Sequence, residues 1–474
     1  MDFNSLLTLL RPEISLLALI VILLIYDLCA GARGRKYFQT VAAVLMAAHV
    51  AGCFFPVPEG QLFGGMFETT RMGTLVKAIL GLGTLLVFLQ ANGALKKEDS
   101  AFKTGEFYVL TLSTLLGMYF MISSGNFLML YLGLETASIP LACLVAFDKY
   151  KHNSAEAGAK FILTAALSSG VLLYGISMIY GTCGTLYFSD VPYLMDMSAM
   201  QIAGMVFFMS GMGFKISLVP FHLWTADVYQ GAPTSVTAYL SVVSKGSAAF
   251  VLMLVLFKVF APMAYIWKDL MYGLIVVTIT VANLFAIRQN NIKRFFAFSS
   301  ISQAGYIMLA LMSGSAAGMS ALVYYVLIYV LSNMAAFGVI AAIDTRTGKV
   351  DISDYDGLYS TNPRLALVMM LALFSLGGIP PFAGFFSKFF IFAAAASQGY
   401  YVLVLIALVN TVISLYYYLL VVKAMFIKKS ETPIAPFRSD APMALSLAVC
   451  VAGILLAGLV SCIYTGISAL GFGM

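Results

Sequence analysis

Gly211-Met212-Gly213-Phe214-Lys215-Ile216-Ser217-Leu218-Val219-Pro220-Phe221-His222-Leu223-Trp224 is an apolar segment in which glycines and a proline flank a lysine. Proline removes a backbone hydrogen bond from a helix and leaves carbonyls open. In hydrocarbon such a break persists only where protein or a water-filled cavity satisfies the freed groups. The same ingredients recur in Gly377-Gly378-Ile379-Pro380-Pro381-Phe382-Ala383-Gly384-Phe385-Phe386-Ser387-Lys388. One break reads equally well as a packing kink. Two breaks, each beside a lysine and lying in different halves of the chain, point to an ion pathway through a transporter-like bundle.

The surrounding sequence decides the solvent. Of the 474 residues 61% are hydrophobic and 10% charged, whereas a soluble chain carries about 25% charged residues. Apolar runs near the length that spans hydrocarbon number about fourteen, with centres from about residue 21 to about residue 454 and one near residue 380. The connections are short, so residues 1–474 read as a single all-α, polytopic membrane domain. The net charge of +6 is too dilute to suggest nucleic acid. Its placement is more informative, because lysines and arginines collect on the cytoplasmic side. Lys103, Lys149, Lys151, Lys293, Arg294, Lys428 and the group Arg33, Arg35, Lys36 and Lys97 fall on one side, against Arg11, Arg71, Lys77, Lys258 and Lys268 on the other. Some of the latter are expected to snorkel from helix ends. Both termini are then expected on the outer side. The first apolar run is expected to be retained, because its basic residues follow it, where a signal peptide carries them in front.

Several kinds of chemistry have no residues to carry them. The cysteines, six in number, form no C-x-x-C, and His49, His152 and His222 do not pair at i,i+4. Thiolate-held iron–sulfur or zinc sites need such clustering. Neither a G-x-G-x-x-G after a strand nor a phosphate-binding G-x-x-x-x-G-K-[ST] is present. No cofactor or metal is therefore expected in this chain. The acidic residues Asp351, Asp354 and Asp356 fall in an inner loop and are expected to be solvated or to touch a partner.

Charge inside the spans is the remaining signal. Glu135, Lys160, Lys215, Lys245 and Lys388 all fall within apolar runs. Each costs about 2.5–3.5 kcal/mol at a helix centre, so an uncompensated set costs on the order of 10 kcal/mol. Polar stripes at helical spacing accompany them: Lys160, Thr164 and Ser168; Thr237, Ser241, Ser244 and Lys245; Ser299, Ser302, Gln303 and Tyr306; Tyr325, Tyr329, Ser332 and Asn333; Asn410, Ser414 and Tyr417. A single stripe reads as interhelical hydrogen bonding. Together with buried lysines, the five read as a hydrated polar axis. Lysine suits proton transfer, since burial lowers its affinity for the proton and a nearby carboxylate restores it. His222 follows the first break and reads either as a relay or as a structural hydrogen bond. Lys160, near the inner end of its span, reads as a relay or as a snorkelling anchor.

Val219-Pro220-Phe221-His222-Leu223-Trp224-Thr225-Ala226-Asp227-Val228-Tyr229-Gln230-Gly231-Ala232-Pro233, followed by Lys245, resembles the N-subunit family of bacterial NADH:quinone oxidoreductase, respiratory complex I. So do Asn291-Ile292-Lys293-Arg294 leading to Ser299-Ser300-Ile301, and Gly378-Ile379-Pro380-Pro381 with Gly384 and Lys388. This family is similar to subunits of Mrp-type sodium/proton antiporters. The resemblance implies fourteen helices with two inverted five-helix repeats, over about residues 105–260 and 269–428, each holding a broken helix. It implies that Glu135 is a modulating carboxylate, Lys215 its partner, Lys245 a central relay and Lys388 the group on the second broken helix, with Lys160 a further family lysine. It also implies a bacterial plasma (inner) membrane and partners among the antiporter-like M-type and small K/J/A-type membrane subunits. Quinone, FMN and iron–sulfur clusters would sit in other subunits of the enzyme. Lys388 stands where an M-type subunit is expected to have glutamate, and Ala226 stands where the family usually has proline.

The function expected is proton translocation through a Glu/Lys relay, coupled to quinone reduction elsewhere in the complex. A subunit of a Mrp-type antiporter or membrane-bound hydrogenase, and a free-standing secondary transporter, are the alternatives. A structural spacer is the last, and several buried lysines would be an expensive way to build one.

Overall fold

A computed structural model describes residues 3–30, 37–96 and 103–471. Arg33, Arg35, Lys36 and Lys97 lie outside these. The described residues are nearly all helix, and among them 12 helices are long and apolar enough to cross a membrane. The principal helices are α1 (Arg11–Cys29), α2 (Phe38–Cys53), α3 (Arg71–Leu95), α4 (Thr104–Ile122), α5 (Phe127–Val145) and α6 (His152–Cys183). There follow α7 (Ala199–Ile216), α8 (Leu223–Gly231), α9 (Thr234–Lys258), α10 (Ala264–Ala286), α11 (Ile292–Leu309) and α12 (Ala316–Thr347). The last are α13 (Pro363–Gly377), α14 (Ala383–Ala396), α15 (Tyr401–Phe426) and α16 (Ala441–Leu459). One element departs from the all-helical expectation, an antiparallel hairpin of β1 (Gly60–Leu62) and β2 (Phe67–Thr69).

Helix starts follow from local chemistry. Asn126 accepts from the Met129 N–H, Ser198 from Gln201 and Asn291 from Lys293 and Arg294, each capping orphan donors of a first turn. Close packing uses small residues, as in hydrocarbon there is no hydrophobic force to bring helices together. Gly117 on α4 is the clearest case, since a Cβ there would stand 2.4 Å from the Ala137 nitrogen of α5. The apolar surface points outward on peripheral helices, with Leu163, Leu167 and Leu405 exposed, while α11 is buried along its whole apolar length and α12 nearly so. Two of the five polar stripes sit on these inner helices and a third on the buried α9, while those of Lys160 and Asn410 lie on the peripheral α6 and α15.

The bundle has two distinct ends. At one, Thr69 of the hairpin donates to the Leu9 carbonyl, and Lys258 at the end of α9 pairs with Glu68 at 2.9 Å. At the other, Thr234 at the start of α9 donates to Asp344 near the end of α12, and Arg346 pairs with Asp440. Lys245 therefore lies roughly midway, about 16 Å along the helix from Thr234.

Both breaks are real; the first lies beyond its glycines, whereas the second turns at Gly378. α7 runs through Gly211 and Gly213 as regular helix and stops at Ile216. The chain then turns at Ser217, whose φ of 67° is rare for a residue with a Cβ. Freed groups are met locally: Leu218 N–H donates to Gly213, Trp224 Nε1 to Phe214, and Val219 N–H to the Thr278 hydroxyl. The span around residue 380, expected to be interrupted, consists of two half-helices, α13 and α14, with the break between them. There Gly378 takes φ 84°, Ile379 N–H donates to Phe374, and Gly384 N–H donates to the Ser375 hydroxyl. Lys215 thus precedes its break, on the last turn of α7, while Lys388 follows its own, on the second turn of α14.

Candidate functional site

Lys215 is buried, and its Nζ donates to the Ser138 hydroxyl of α5. Glu135 lies one turn earlier on that helix, half-buried, with Oε1 shielded and unpartnered. Its charge acts on Lys215 electrostatically, yet no ion pair within 4.0 Å joins them. Ser138, which the sequence reading missed, is the group in contact. Its position three residues after Glu135, one helical turn away, was the available signal.

Lys245 is 2% exposed. It directly follows a π-helical turn, Leu240–Ser244, an irregularity often found at functional sites. Its Nζ donates to Ser300 Oγ at 2.7 Å and lies 5.5 Å from the Tyr229 ring centre. Ser300 is a hub: Tyr329 donates to it at 2.9 Å and Ser241 at 3.2 Å, and Asn333 donates to Ser241 at 2.9 Å. Two of the polar stripes thereby meet around one lysine, joined by Ser300, which the stripes left out.

Between Lys215 and Lys245 runs the broken segment. Ser217 Oγ, His222 Nδ1, Thr225 Oγ1 and Tyr229 OH are all buried there without a hydrogen-bond partner. Buried polar groups of this kind are normally satisfied by water. His222 is half-buried at the start of α8, within electrostatic range of Lys245.

Lys388 is buried, donating to the carbonyls of Leu376 at 2.9 Å and Gly377 at 3.3 Å, the last turn of α13. A cation at the carbonyl end of a helix is favourably placed. The Tyr306 ring lies 4.9 Å from its Nζ. A cavity of ≈ 10 Å³ lined by Tyr329, Gln303, Ser332, Ser375 and Lys388 separates it from the Lys245 cluster, about the size of one water. Tyr325 donates to Gln303, and Ser332 and Ser375 share a hydrogen bond of 2.7 Å. Gln303 donates to Tyr418, while Tyr417 donates to Asn283, which donates to Asn410.

Lys160 stands apart from this chain. It is 43% exposed and pairs with Glu156 at 2.7 Å and Asp227 at 2.6 Å, Asp227 also binding Arg294 at 2.6 Å. Two other lysines are not where loop assignment puts them. Lys293 is a buried residue on the first turn of α11, donating to the Ala232 carbonyl at 2.7 Å. Lys77 is not a snorkelling anchor: it is 1% exposed and paired with Glu13 and Ser123. A charge whose partner lies 64 residues away gives no local sign of being buried. In the acidic loop, Asp351 and Asp354 cap a short helical turn and Asp356 faces Lys428 at 3.6 Å.

Two broken helices, each with a buried lysine beside the break, and a third buried lysine set among serine and tyrosine side chains define an antiporter-like membrane subunit. Residues 124–414 match the family model described as NADH:quinone oxidoreductase/Mrp antiporter, TM, and the chain belongs to that family. It is 59% identical over 465 residues to NADH-quinone oxidoreductase subunit N of Phocaeicola vulgatus, covering 98% of each chain. The protein of the same name from Azobacteroides pseudotrichonymphae is 55% identical, with 100% of this chain and 99% of that one covered. A chain of respiratory complex I from Thermus thermophilus with bound aureothin superposes with TM-score 0.82 at 30% identity, over 97% of this chain and 100% of that one. A chain of the Mrp complex from Dietzia shares the fold, with TM-score 0.86 at 20% identity over 99% and 97%.

Proposed function

We propose that this chain is a proton-translocating membrane subunit of an NADH:quinone oxidoreductase. The observation that carries the reading is the set of buried lysines Lys215, Lys245 and Lys388: Lys245 reaches Tyr329 through Ser300, Tyr329 and Lys388 line one cavity, and unpartnered polar groups of the broken segment lie near Lys215 and Lys245. Hydroxyls suit a relay because each can take a hydrogen bond while giving one. Glu135 modulates Lys215 through space, Lys245 relays, and Lys388 serves the second break. His222 stands beside the first gap and Lys160 at its end, both as secondary members. The identity to curated subunits named for this enzyme supports it over an antiporter, for which only the fold is shared.

In this reading Pro363–Ala396 crosses once as a broken helix and the 16-residue α2 crosses too. The chain then crosses fourteen times, with inverted repeats over about residues 105–260 and 269–428, and both termini lie on the outer side of a bacterial inner membrane. The basic residues on the end carrying Lys103, Lys151 and Lys293 support that orientation. Neighbouring membrane subunits cover part of its outward face. Quinone, FMN and iron–sulfur clusters are held by other subunits, and this chain carries no redox step.

Membranes bearing Lys245→Ala or Lys215→Ala test the reading, with quinone reduction and proton gradient recorded together on assembled complex. Loss of the gradient, with or without loss of turnover, is expected. Normal turnover with an undiminished gradient in both variants would overturn it.

A further inference from the structure

A trough runs along the outward face between α1 and α2, away from the lysine row. Its volume is ≈ 390 Å³, its walls are Ala18, Leu19, Ile22, Leu45 and Ala48, and Gly52 opens its floor. From Arg11 to Ile22 the trough follows the helix for about 16 Å, or about half the hydrocarbon thickness. Val21, Ile22, Ile25 and Val44 around it are exposed, so its rim is apolar.

Arg11 stands at the mouth. Its Nη2 donates to the carbonyls of Gly52 at 3.1 Å and Phe55 at 2.5 Å, which fixes the guanidinium in place. Its remaining N–H groups have no partner, and no carboxylate lies within 4.0 Å of it, among the described residues. Arginine presents a planar fork of donors that matches a phosphate. A fixed, uncompensated guanidinium at the end of a leaflet-long apolar trough is complementary to an anion carrying an acyl chain.

We infer that this trough is a binding site for one anionic phospholipid of the leaflet nearest the N-terminus, its phosphate on Arg11 and one acyl chain along Leu19, Ile22 and Leu45. The inference does not depend on the lysine row. Gly52 provides a clean way to close the site, since a Cβ there meets nothing within 4 Å and Gly52→Leu fills open space.

The test uses the complex as isolated, reconstituted in vesicles of phosphatidylethanolamine and phosphatidylglycerol. One sample contains phosphatidylglycerol with a photoreactive diazirine in its acyl chain, the other uncharged diacylglycerol with the same chain. In the wild-type chain the charged probe is expected to label peptides holding Leu19, Ile22 and Leu45 about tenfold more than the neutral one, as one charge-assisted contact provides. Arg11→Gln should abolish that preference, and Gly52→Leu should abolish labelling by both probes. Equal labelling by the two probes in the wild-type chain would overturn the site, and that comparison needs no variant to assemble. So would unchanged labelling in both variants, which marks unselected bulk lipid, or a trough protected from both probes by a neighbouring protein.

Discussion

The ammonium of Lys215 rests on the hydroxyl of Ser138, one helical turn from Glu135, and not on Glu135 itself. A direct ion pair would hold the lysine charged. With the lysine on a hydroxyl instead, the carboxylate can act only through space, so that a small movement of α5 against α7 changes what the lysine feels.

Ser138→Ala removes that contact from a buried cation, and hydrogen bonds to charged groups contribute about 1.5–3 kcal/mol. Proton translocation measured against quinone reduction should fall by about tenfold or more if that energy is lost from the limiting step. Ser138→Thr keeps a hydroxyl and should recover most of the activity. Equal coupling in the alanine and wild-type chains would mean that Ser138 only packs.

Ser300 is expected to act with Lys245 as one unit. The single variants Ser300→Ala and Lys245→Ala should each impair the proton gradient, and the double variant should be little worse than Lys245→Ala alone. Residues joined in one network deviate from additivity by about 0.5–3 kcal/mol. Additive losses in a double-mutant cycle would argue that the 2.7 Å contact carries no coupling.

The buried pair of Glu13 and Lys77 gives a stability prediction away from the lysine row. Lys77→Met strands a buried carboxylate and should destabilise by about 3–5 kcal/mol, whereas Glu13→Leu combined with Lys77→Met should recover most of that loss. Thermal unfolding of the purified complex, with the amount assembled in membranes, is the readout. A double variant as unstable as the single one would show that the charges themselves are required.

Gly117 and Gly170 separate close approach from mere helix composition. A Cβ at Gly117 meets α5 backbone at 2.4 Å, while one at Gly170 meets nothing within 4 Å. Gly117→Ala should cost about 1–3 kcal/mol through overpacking, and Gly170→Ala should be neutral or slightly stabilising through helix propensity. The same melting measurement decides, and matching shifts would refute the packing account.

Much of this was legible along the chain because hydrocarbon is a demanding solvent. Apolar runs of the length of α3, α9 or α12 have one physical use, and a lysine within such a run stands out against its cost. Lys215, Lys245 and Lys388, the existence of two breaks and the stripes around them were read in that way. The second break fell at Gly378, within the stretch read for it, but the turn of the first did not fall on its glycines, because glycine permits a turn without forcing one: Gly211 and Gly213 remained helical while Ser217 turned. The π-helical turn before Lys245 has no composition of its own and follows from how α9 packs.

Partnerships were the other hidden quantity. Sequence alone determined that this is a many-helix membrane chain with ionisable groups in its spans, since solvent cost depends on each residue and its neighbours in the chain. Only the tertiary structure decided that Lys215 rests on Ser138, that Ser300 joins Lys245 to Tyr329, and that Lys77 is sealed with Glu13 while Lys160 stays at the rim. Hydrogen bonds reach about 3 Å, and which side chains come within that distance is set by helices far apart in sequence.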